Sequence, residues 1–240
     1  MNFHEYRFRP RPVPTLAALV ALPLLSGLGL WQLDRAQQKE RAAQQLAERR
    51  SQPPRELTGT LEPDDVEAFR KARVRGVFEP EGQIFIENRK QGNRTGYHVI
   101  TPLRLTGSDI RVLVNRGWVP RPPQAGQLPP APAPAEPVVV NGLMQVPSPP
   151  ALTLGDPSNW DRVWPYFTVE AYAARASFPV LPLLLLQDPA DTSGFVRQWR
   201  LKQPTPWMHI GYAIQWFAFA LIALVVYLRL SLQRPGEAHA

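Results

Sequence analysis

The stretch "PTPWMHIGYAIQWFAFALIALVVYLR", from Pro204 to Arg229, decides the fold class of this chain. Between His209 and Arg229 it has no charged side chain and is rich in Ala, Leu, Val and Phe. A helix of about 20 such residues is long enough to cross a hydrocarbon layer of roughly 30 Å. The pattern therefore predicts a transmembrane helix over residues 206–228, with aromatic side chains near its ends, as is usual at membrane interfaces.

A second apolar stretch, "TLAALVALPLLSGLGLWQL" from Thr15 to Leu33, lies near the other end of the chain. There is no ionisable side chain between Pro12 and Leu33. Its apolar core is longer than the roughly 7–15 residues of a cleavable signal peptide, and the bulky "WQLDR" stands where small residues would be needed for cleavage. We therefore predict an uncleaved transmembrane helix over residues 13–33.

Two membrane spans place both ends of the chain on one side of the bilayer. The predicted tails are residues 1–12 and 229–240, and the segment 34–205 between the spans lies on the other side. Both short tails carry arginine, which favours a cytoplasmic location, although basic residues also follow the first span. Because long domains cross membranes largely regardless of their charge, we predict cytoplasmic tails and a periplasmic domain in a bacterial inner membrane.

The composition excludes several classes of function. The net charge is +7, but many of the basic residues flank the spans, where anionic lipid rather than nucleic acid is the expected partner. The absence of cysteine excludes disulfides, thiolate catalysis and zinc ribbons. The sequence also lacks the common hydrolase, phosphate-loop and metalloprotease motifs, so we do not expect an enzyme. The four histidines have no metal-ligand spacing: His4, His98, His209 and His239.

The segment between the spans has the pattern of a β-rich domain. It begins with a predicted helical stalk over residues 34–52, rich in helix-forming residues and ended by two prolines. Short runs of β-branched and aromatic residues, separated by turn sequences, then predict mainly antiparallel strands. A stretch with eight prolines, residues 120–137, predicts an extended surface loop. Thr168 is a candidate N-cap of a short helix. The predicted strands are Arg73–Phe78, Gln83–Arg89, Gly96–Leu105, Arg111–Val119, Val138–Val146 and Phe178–Asp188.

His209 can be interpreted in two ways. At about 1.5 Å per residue it lies roughly 30 Å from Arg229, at the outer boundary of the bilayer. On a helix His209 shares one face with Tyr212 and Trp216, at spacing i, i+3, i+7. The three residues are either an aromatic collar at the interface or part of a ligand site.

The first span offers a surface that could meet this face. Gly27, Trp31 and Arg35 are four residues apart and form a ridge, and a glycine permits close approach of a second helix. If the spans pack through this ridge, Trp31 and Arg35 lie near the depth of His209. An imidazole, an aromatic plane and a guanidinium suit a haem with anionic propionates. The alternative for Arg35 is that it only reaches towards lipid headgroups.

Five segments in order resemble the surfeit locus protein 1 (Shy-type) family, over about Leu28 to Ala220. Two lie at the spans, "LGLWQLDRAQQK" and "HIGYAIQWFAFA". The other three lie between them: "VRGVF", "ENRKQGNRTGYHVITPLRL" and "VLVNRGWVP". The resemblance implies two transmembrane helices flanking an extracytoplasmic α+β domain. It also implies an assembly factor for cytochrome c oxidase that helps insert haem a into the catalytic subunit.

The resemblance also implies site residues and partners. His209 matches the position associated with the haem iron, and Arg35 or Arg200 would neutralise propionates. Implied partners are the catalytic subunit of cytochrome c oxidase, proteins that make or deliver haem a, and membrane lipid, but not nucleic acid. The alternative is a membrane-anchored scaffold that binds no cofactor. Matching the two span motifs gives further candidates for cofactor binding, Trp31, Gln32, Arg35, Tyr212, Gln215 and Trp216, and a structural "NRGW" element at Asn115, Arg116, Gly117 and Trp118.

Overall fold

The structure is a computed structural model of the 240-residue chain that divides into two compact units. The helix-pair unit comprises Met1–Gln45 and Lys202–Ala240, and the barrel unit comprises Leu46–Leu201. The structure describes residues 7–59, 61–124, 126–149, 160–189, 194–199 and 204–233.

The first predicted span and the predicted stalk form one helix. Helix α1 runs over Pro12–Ser51, 40 residues, which corresponds to roughly 60 Å, about twice the thickness of a hydrocarbon layer. It continues through Pro23, and a proline within a membrane helix is tolerated where neighbouring groups satisfy the freed carbonyl. The apolar side chains of its first turns are exposed, as lipid-facing residues would be. By length and composition this helix can cross a membrane.

The second span is helix α3, Trp207–Ser231, which is also long and apolar enough to cross a membrane. It packs antiparallel to α1, and the side-chain oxygens of Thr15 and Tyr227 lie 3.5 Å apart. Beyond the helices, strand β1 (Arg7–Phe8) pairs antiparallel with strand β10 (Leu232–Gln233). The described residues just before α1 and just after α3 therefore meet at the same end of the helix pair.

Close approach of the two helices occurs at Gly29, not at Gly27 as predicted. A Cβ on Gly29 would lie 2.7 Å from the ring of Phe217, whereas a Cβ on Gly27 would meet nothing within 4 Å. Trp31, on the predicted ridge, is 51% exposed. The ridge prediction was wrong because spacing of four residues identifies residues on one face but not which face meets a partner. The contact face of α1, the seam, is marked by its buried residues, Ala18, Gly29, Gln32 and Ala36.

The barrel unit contains a mainly antiparallel sheet, as predicted. Its elements are β2 Arg55–Glu56, β3 Lys71–Phe78, β4 Ile84–Gln91, β5 Arg94–Leu105, β6 Arg111–Pro120, β7 Val138–Gln145, β8 Val163–Trp164, helix α2 Val169–Ala173 and β9 Val180–Gln187. The strand order is β2-β3-β7-β9-β6-β5-β4-β8, and an additional β3–β5 pairing closes five of these strands into a barrel. Parallel pairs occur at β2–β3, β4–β8 and β6–β9.

Strand β9 explains the leucine-rich run that the sequence shows before the second span. Leu183 and Leu185 point into the barrel core with residues of β3, β5 and β6. Leu184 and Leu186 point to the other face, where they pack in a cluster with Trp164 and residues of α2. Alternate residues of a strand face opposite sides, so a strand covered on both sides is apolar throughout. Helix α2 covers part of this second face. It begins as predicted, with Thr168 Oγ1 accepting the Ala171 N–H at 3.2 Å.

The proline-rich segment is anchored to the barrel by a buried arginine. Arg116 is only 2% exposed and donates hydrogen bonds to the carbonyl oxygens of Ala131 at 3.3 Å and Pro132 at 2.7 Å. Its guanidinium also lies over the rings of Phe78 and Phe195, at 5.1 and 4.5 Å from their centroids. The described residues of the segment are mostly without regular secondary structure, and part of the segment is held against the barrel. This contact gives the "NRGW" element a structural role.

Candidate functional site

The candidate site lies where His209 of α3 meets Gln32 of α1. His209 Nδ1 lies 2.8 Å from Gln32 Oε1, a hydrogen bond between residues 177 positions apart. His209 is in the first turn of α3 and half-buried, whereas Gln32 is 9% exposed and belongs to the seam of α1. A buried amide of this kind usually has a hydrogen-bond partner, and here the partner is the imidazole.

This hydrogen bond determines which nitrogen of His209 is available for a ligand. A carbonyl oxygen can only accept, so Nδ1 must carry the proton and donate it to Gln32 Oε1. In the neutral ring Nε2 then has a lone pair. Histidines that bind metals commonly donate their other ring N–H to an oxygen acceptor, which fixes both the tautomer and the ring orientation. The pair therefore has the arrangement of a metal-binding imidazole and its orienting residue.

Trp31 and Arg35 lie beside this pair on the exposed surface of α1. The guanidinium of Arg35 is 5.7 Å from the ring centroid of Trp31, a cation–π contact. Arg35 Nη1 also donates to Gln38 Oε1 at 2.9 Å. Within the described residues Arg35 forms no ion pair with a carboxylate. Its charge is thus free to interact with an anionic group.

Helix periodicity puts Trp31, Arg35 and Tyr212 on the same side of the seam. Trp31 and Arg35 directly precede seam residues of α1, and Tyr212 directly precedes Ala213, which is buried on α3. Each of the three is therefore rotated from its helix's buried face by about 100° in the same sense. In an antiparallel pair of right-handed helices this rotation leads to the same side on both helices. His209 is four positions before buried Ala213 and is displaced by about 40° in that sense. The four side chains can therefore face one ligand.

Of the other two predicted residues of α3, Trp216 is displaced from Ala213 by about 60° in the same sense and lies about two turns from His209, whereas Gln215 points away from this side. Gln215 is exposed, and Trp216 is half-buried with its ring edge-on to Phe219 at 6.1 Å between centroids. Tyr212 is 47% exposed. Arg200, the other predicted partner for propionates, lies outside the described residues.

Two residues of this region could not be assigned a packing role from motif spacing alone. Gln32 was a candidate only through the family resemblance, and Gly29 was not identified. A signal for both was present, because the small residues Ala18, Gly29 and Ala36 follow a helical period that includes Gln32. The spacing of these small residues is therefore a better indicator of the contact face than Gly27 alone.

A family model described as the SURF1 family matches residues 19–221, which include the barrel and more than half of each long helix. The chain belongs to the SURF1 family. The match includes both partners of the central hydrogen bond, Gln32 and His209.

Individual SURF1-family relatives agree with this assignment. A SURF1-like protein of Monosiga brevicollis is 26% identical over 240 residues, covering 91% of this chain and 87% of that protein. A SURF1-like protein of the bacterium Rickettsia bellii is 30% identical over 105 residues, 43% of this chain and 42% of that protein. The cytochrome oxidase assembly protein SHY1 of Saccharomyces cerevisiae is 29% identical over 107 residues, 43% of this chain and 28% of that protein. The last two matches thus span less than half of each relative's length.

Proposed function

We propose that this protein is a membrane-anchored, non-enzymatic assembly factor for haem-copper cytochrome c oxidase, which binds haem a through His209 and passes it to the catalytic subunit. Membership of the SURF1 family supports the assembly role, as does the name of the yeast relative. The observation that carries the haem proposal is the hydrogen bond from His209 Nδ1 to Gln32 Oε1 at 2.8 Å.

The donor set fits a haem. Haem iron accepts a neutral histidine nitrogen as an axial ligand, and His209 Nε2 is the nitrogen left free by the contact with Gln32. Gln32 acts as the positioning residue, because it holds the proton on Nδ1 and fixes the plane of the ring. His209 would be the single protein ligand proposed for the iron, which suits a carrier that must release its cargo.

The residues beside His209 would hold the rest of the macrocycle. Trp31 and Tyr212 offer aromatic surfaces on the same side of the seam, and Arg35 offers a guanidinium that can pair with a propionate. Arg200, Gln215 and Trp216 complete the proposed set. Because His209 is near the outer boundary of the bilayer by helix length, these residues would hold the haem near that boundary, with Arg35 to neutralise a propionate.

The proposed orientation has both tails in the cytoplasm and the barrel in the periplasm of a bacterial inner membrane. Pairing of β1 with β10 supports a common side for the tails, and their arginines favour the cytoplasm. A fluorescent reporter that folds only in the cytoplasm should be active when fused after Ala240. A C-terminal alkaline phosphatase fusion, which folds only in the periplasm, should be inactive, and activity there would contradict the orientation.

The haem proposal is tested on the full chain purified in detergent from cells that make haem a. The wild-type protein should carry a Soret absorption band, and His209→Ala should lose it. His98→Ala, which removes a histidine from the barrel unit, is the matched control and should keep the band. A wild-type protein without the band, or a His209→Ala protein that retains it, would contradict ligation by His209.

Assembly is measured separately, by co-purification of the chain with the oxidase catalytic subunit and by oxidase activity of membranes. Under the proposal, His209→Ala still associates with the catalytic subunit but yields oxidase poor in haem a. If wild-type protein supports assembly yet never carries haem, the cofactor-free scaffold is the correct function and haem delivery belongs to another partner.

A further inference from the structure

The barrel unit contains a cleft of about 400 Å³ that the proposed haem site does not use. Ile86 and Arg89 of β4, His98 and Ile100 of β5, and Leu186 of β9 contribute to its walls. Its volume lies within the range of small-molecule sites. One part of the wall is polar and basic and another part is apolar, which is the pattern expected for an amphipathic ligand.

A β-bulge turns Arg89 towards the cleft. Ile86 pairs with His98 and Arg89 pairs with Gly96, so β4 has three steps where β5 has two. The extra residue is accommodated at Asn88, which has a positive φ of 57°. Without this extra residue, the side chains of Ile86 and Arg89 would face opposite sides of the strand. With it, both side chains line the same cleft.

The guanidinium of Arg89 has little compensation for its charge. Among the described residues it makes one hydrogen bond, a long one of 3.5 Å to the carbonyl oxygen of Pro165, and no ion pair with a carboxylate. Burial lowers the pKa of Arg89, since removal from water disfavours the charged form. A partly buried cation without an anionic partner is costly. An anion in the cleft would remove this cost.

His98 supplies a second donor. Asn115 Oδ1 accepts the N–H of Gly117 at 3.2 Å, so the amide NH₂ of Asn115 is the group 3.4 Å from His98 Nδ1. Nδ1 therefore accepts, and Nε2 carries the proton. Burial and, secondly, the charge of Arg89 lower the pKa of His98 to about 4. The ring is thus a neutral N–H donor at neutral pH, and it is packed edge-on against Trp199 at 5.6 Å between centroids.

We propose that this cleft binds a small carboxylate with an apolar body, whose carboxylate interacts with Arg89 and His98 Nε2–H and whose body packs on Ile100, Phe167 and Leu186. A guanidinium and a carboxylate match in charge and can form two parallel hydrogen bonds. Lys90 also lines the cleft, so charge alone does not separate a carboxylate from a phosphate. The apolar wall favours an anion with an apolar body over a purely inorganic one.

The test uses the full chain in lipid nanodiscs and isothermal titration calorimetry, with empty nanodiscs as the blank. The probes are phenylacetate, its neutral isostere phenylacetamide, and inorganic phosphate. Phenylacetate should bind saturably at one site per chain, at least tenfold more tightly than either of the other two. Absence of saturable phenylacetate binding, or equal binding of phenylacetamide, would overturn the proposal. Preferential binding of phosphate would overturn the assignment of a carboxylate.

Variants locate the binding. Arg89→Gln should weaken phenylacetate binding at least tenfold, and Arg89→Lys should recover part of it. Arg75→Gln removes an exposed arginine from β3 of the same barrel and should leave binding unchanged. If circular dichroism shows that Arg89→Gln does not fold, tryptophan fluorescence locates the site instead. Phenylacetate should quench the fluorescence of the wild type through Trp199, and this quenching should be absent in Trp199→Phe. His209→Ala should bind phenylacetate normally, so failure of the haem proposal leaves this test intact.

Discussion

His209 in the helix-pair unit and His98 in the barrel unit are both held through Nδ1, but by groups of opposite hydrogen-bonding character. Gln32 offers an oxygen to His209, so Nδ1 donates and Nε2 has the lone pair. Asn115 offers its NH₂ to His98, so Nδ1 accepts and Nε2 has the proton. One ring therefore has a lone pair on Nε2 and the other has an N–H there.

The comparison shows that an adjacent amide can decide the chemistry of a histidine. Glutamine and asparagine each have both an acceptor and donors on the same group. Which of these faces the ring depends on what else binds the amide. For Asn115 the backbone N–H of Gly117 occupies the oxygen and leaves the NH₂ for His98. Four predictions test this contrast, beginning with the largest expected effect.

Replacing Arg116 by Met should disrupt the barrel unit while leaving the helix pair intact. The change leaves the carbonyl oxygens of Ala131 and Pro132 without their donor, and we expect a loss of about 3–4 kcal/mol in the free energy of unfolding. Urea unfolding followed by circular dichroism measures it. The control is Arg121→Gln, which removes an exposed ion pair with Glu87 and a cation–π contact with Tyr97 and should cost about 1 kcal/mol. Equal losses in the two variants would contradict the anchoring role.

Replacing Gly29 by Leu should break the contact between Gln32 and His209. The new side chain must displace the ring of Phe217, which a Cβ alone would approach to 2.7 Å. The helices then separate and Gln32 no longer reaches His209, so haem affinity should fall about 100-fold or more, a free-energy change of about 2.7 kcal/mol. Soret titration of haem-free protein measures the affinity. A Cβ at position 27 would meet nothing within 4 Å, so Gly27→Leu should bind haem normally; an equal loss there would argue against packing at Gly29.

Replacing Gln32 by Leu should remove the tautomer preference of His209 while keeping the helices packed. Loss of an orienting acceptor beside a metal ligand typically costs about 10- to 100-fold in affinity. Gln32→Glu keeps an oxygen acceptor and should retain most of the binding in the same Soret titration. Gln37→Leu is a matched control on the exposed surface of α1. If Gln32→Leu binds haem as tightly as the wild type, Gln32 does not position His209.

Lowering the pH should weaken the barrel unit through His98. Its pKa of about 4 in the folded state lies below its ordinary value of 6.5, so the unfolded state binds a proton more readily. The contribution of His98 to stability is complete above pH 6.5 and decreases as the pH falls towards 4. At pH 5 the loss should be about 1–2 kcal/mol relative to pH 7.

Comparison with His98→Gln isolates this effect from that of other titrating groups. The urea midpoints of both proteins are measured at pH 7 and pH 5, and the wild type should lose more stability than the variant between these values. A variant with the same pH dependence as the wild type would show that His98 is not neutral in the folded barrel.

Much of the fold was predictable because its signals are local. Six of the predicted strands correspond to β3, β4, β5, β6, β7 and β9, and Thr168 caps α2 as expected. The bulge at Asn88 was not predictable, since one extra residue inverts the faces of the strand without changing its composition. The sequence placed His98 within a predicted strand but could not give it a partner, whereas the structure gives it a cleft shared with Arg89.

The sequence by itself determined the two membrane helices, the β-rich domain between them and the family resemblance. These depend on runs of apolar residues, on alternation and on short motifs, all of which are visible along the chain. Only the tertiary structure decided that Gly29 rather than Gly27 lies in the seam, that β3 pairs with β5 to close the barrel, and which nitrogen of each histidine is free. Those features depend on contacts between residues far apart in sequence, and a hydrogen-bond acceptor acts on a ring only when folding brings the two together.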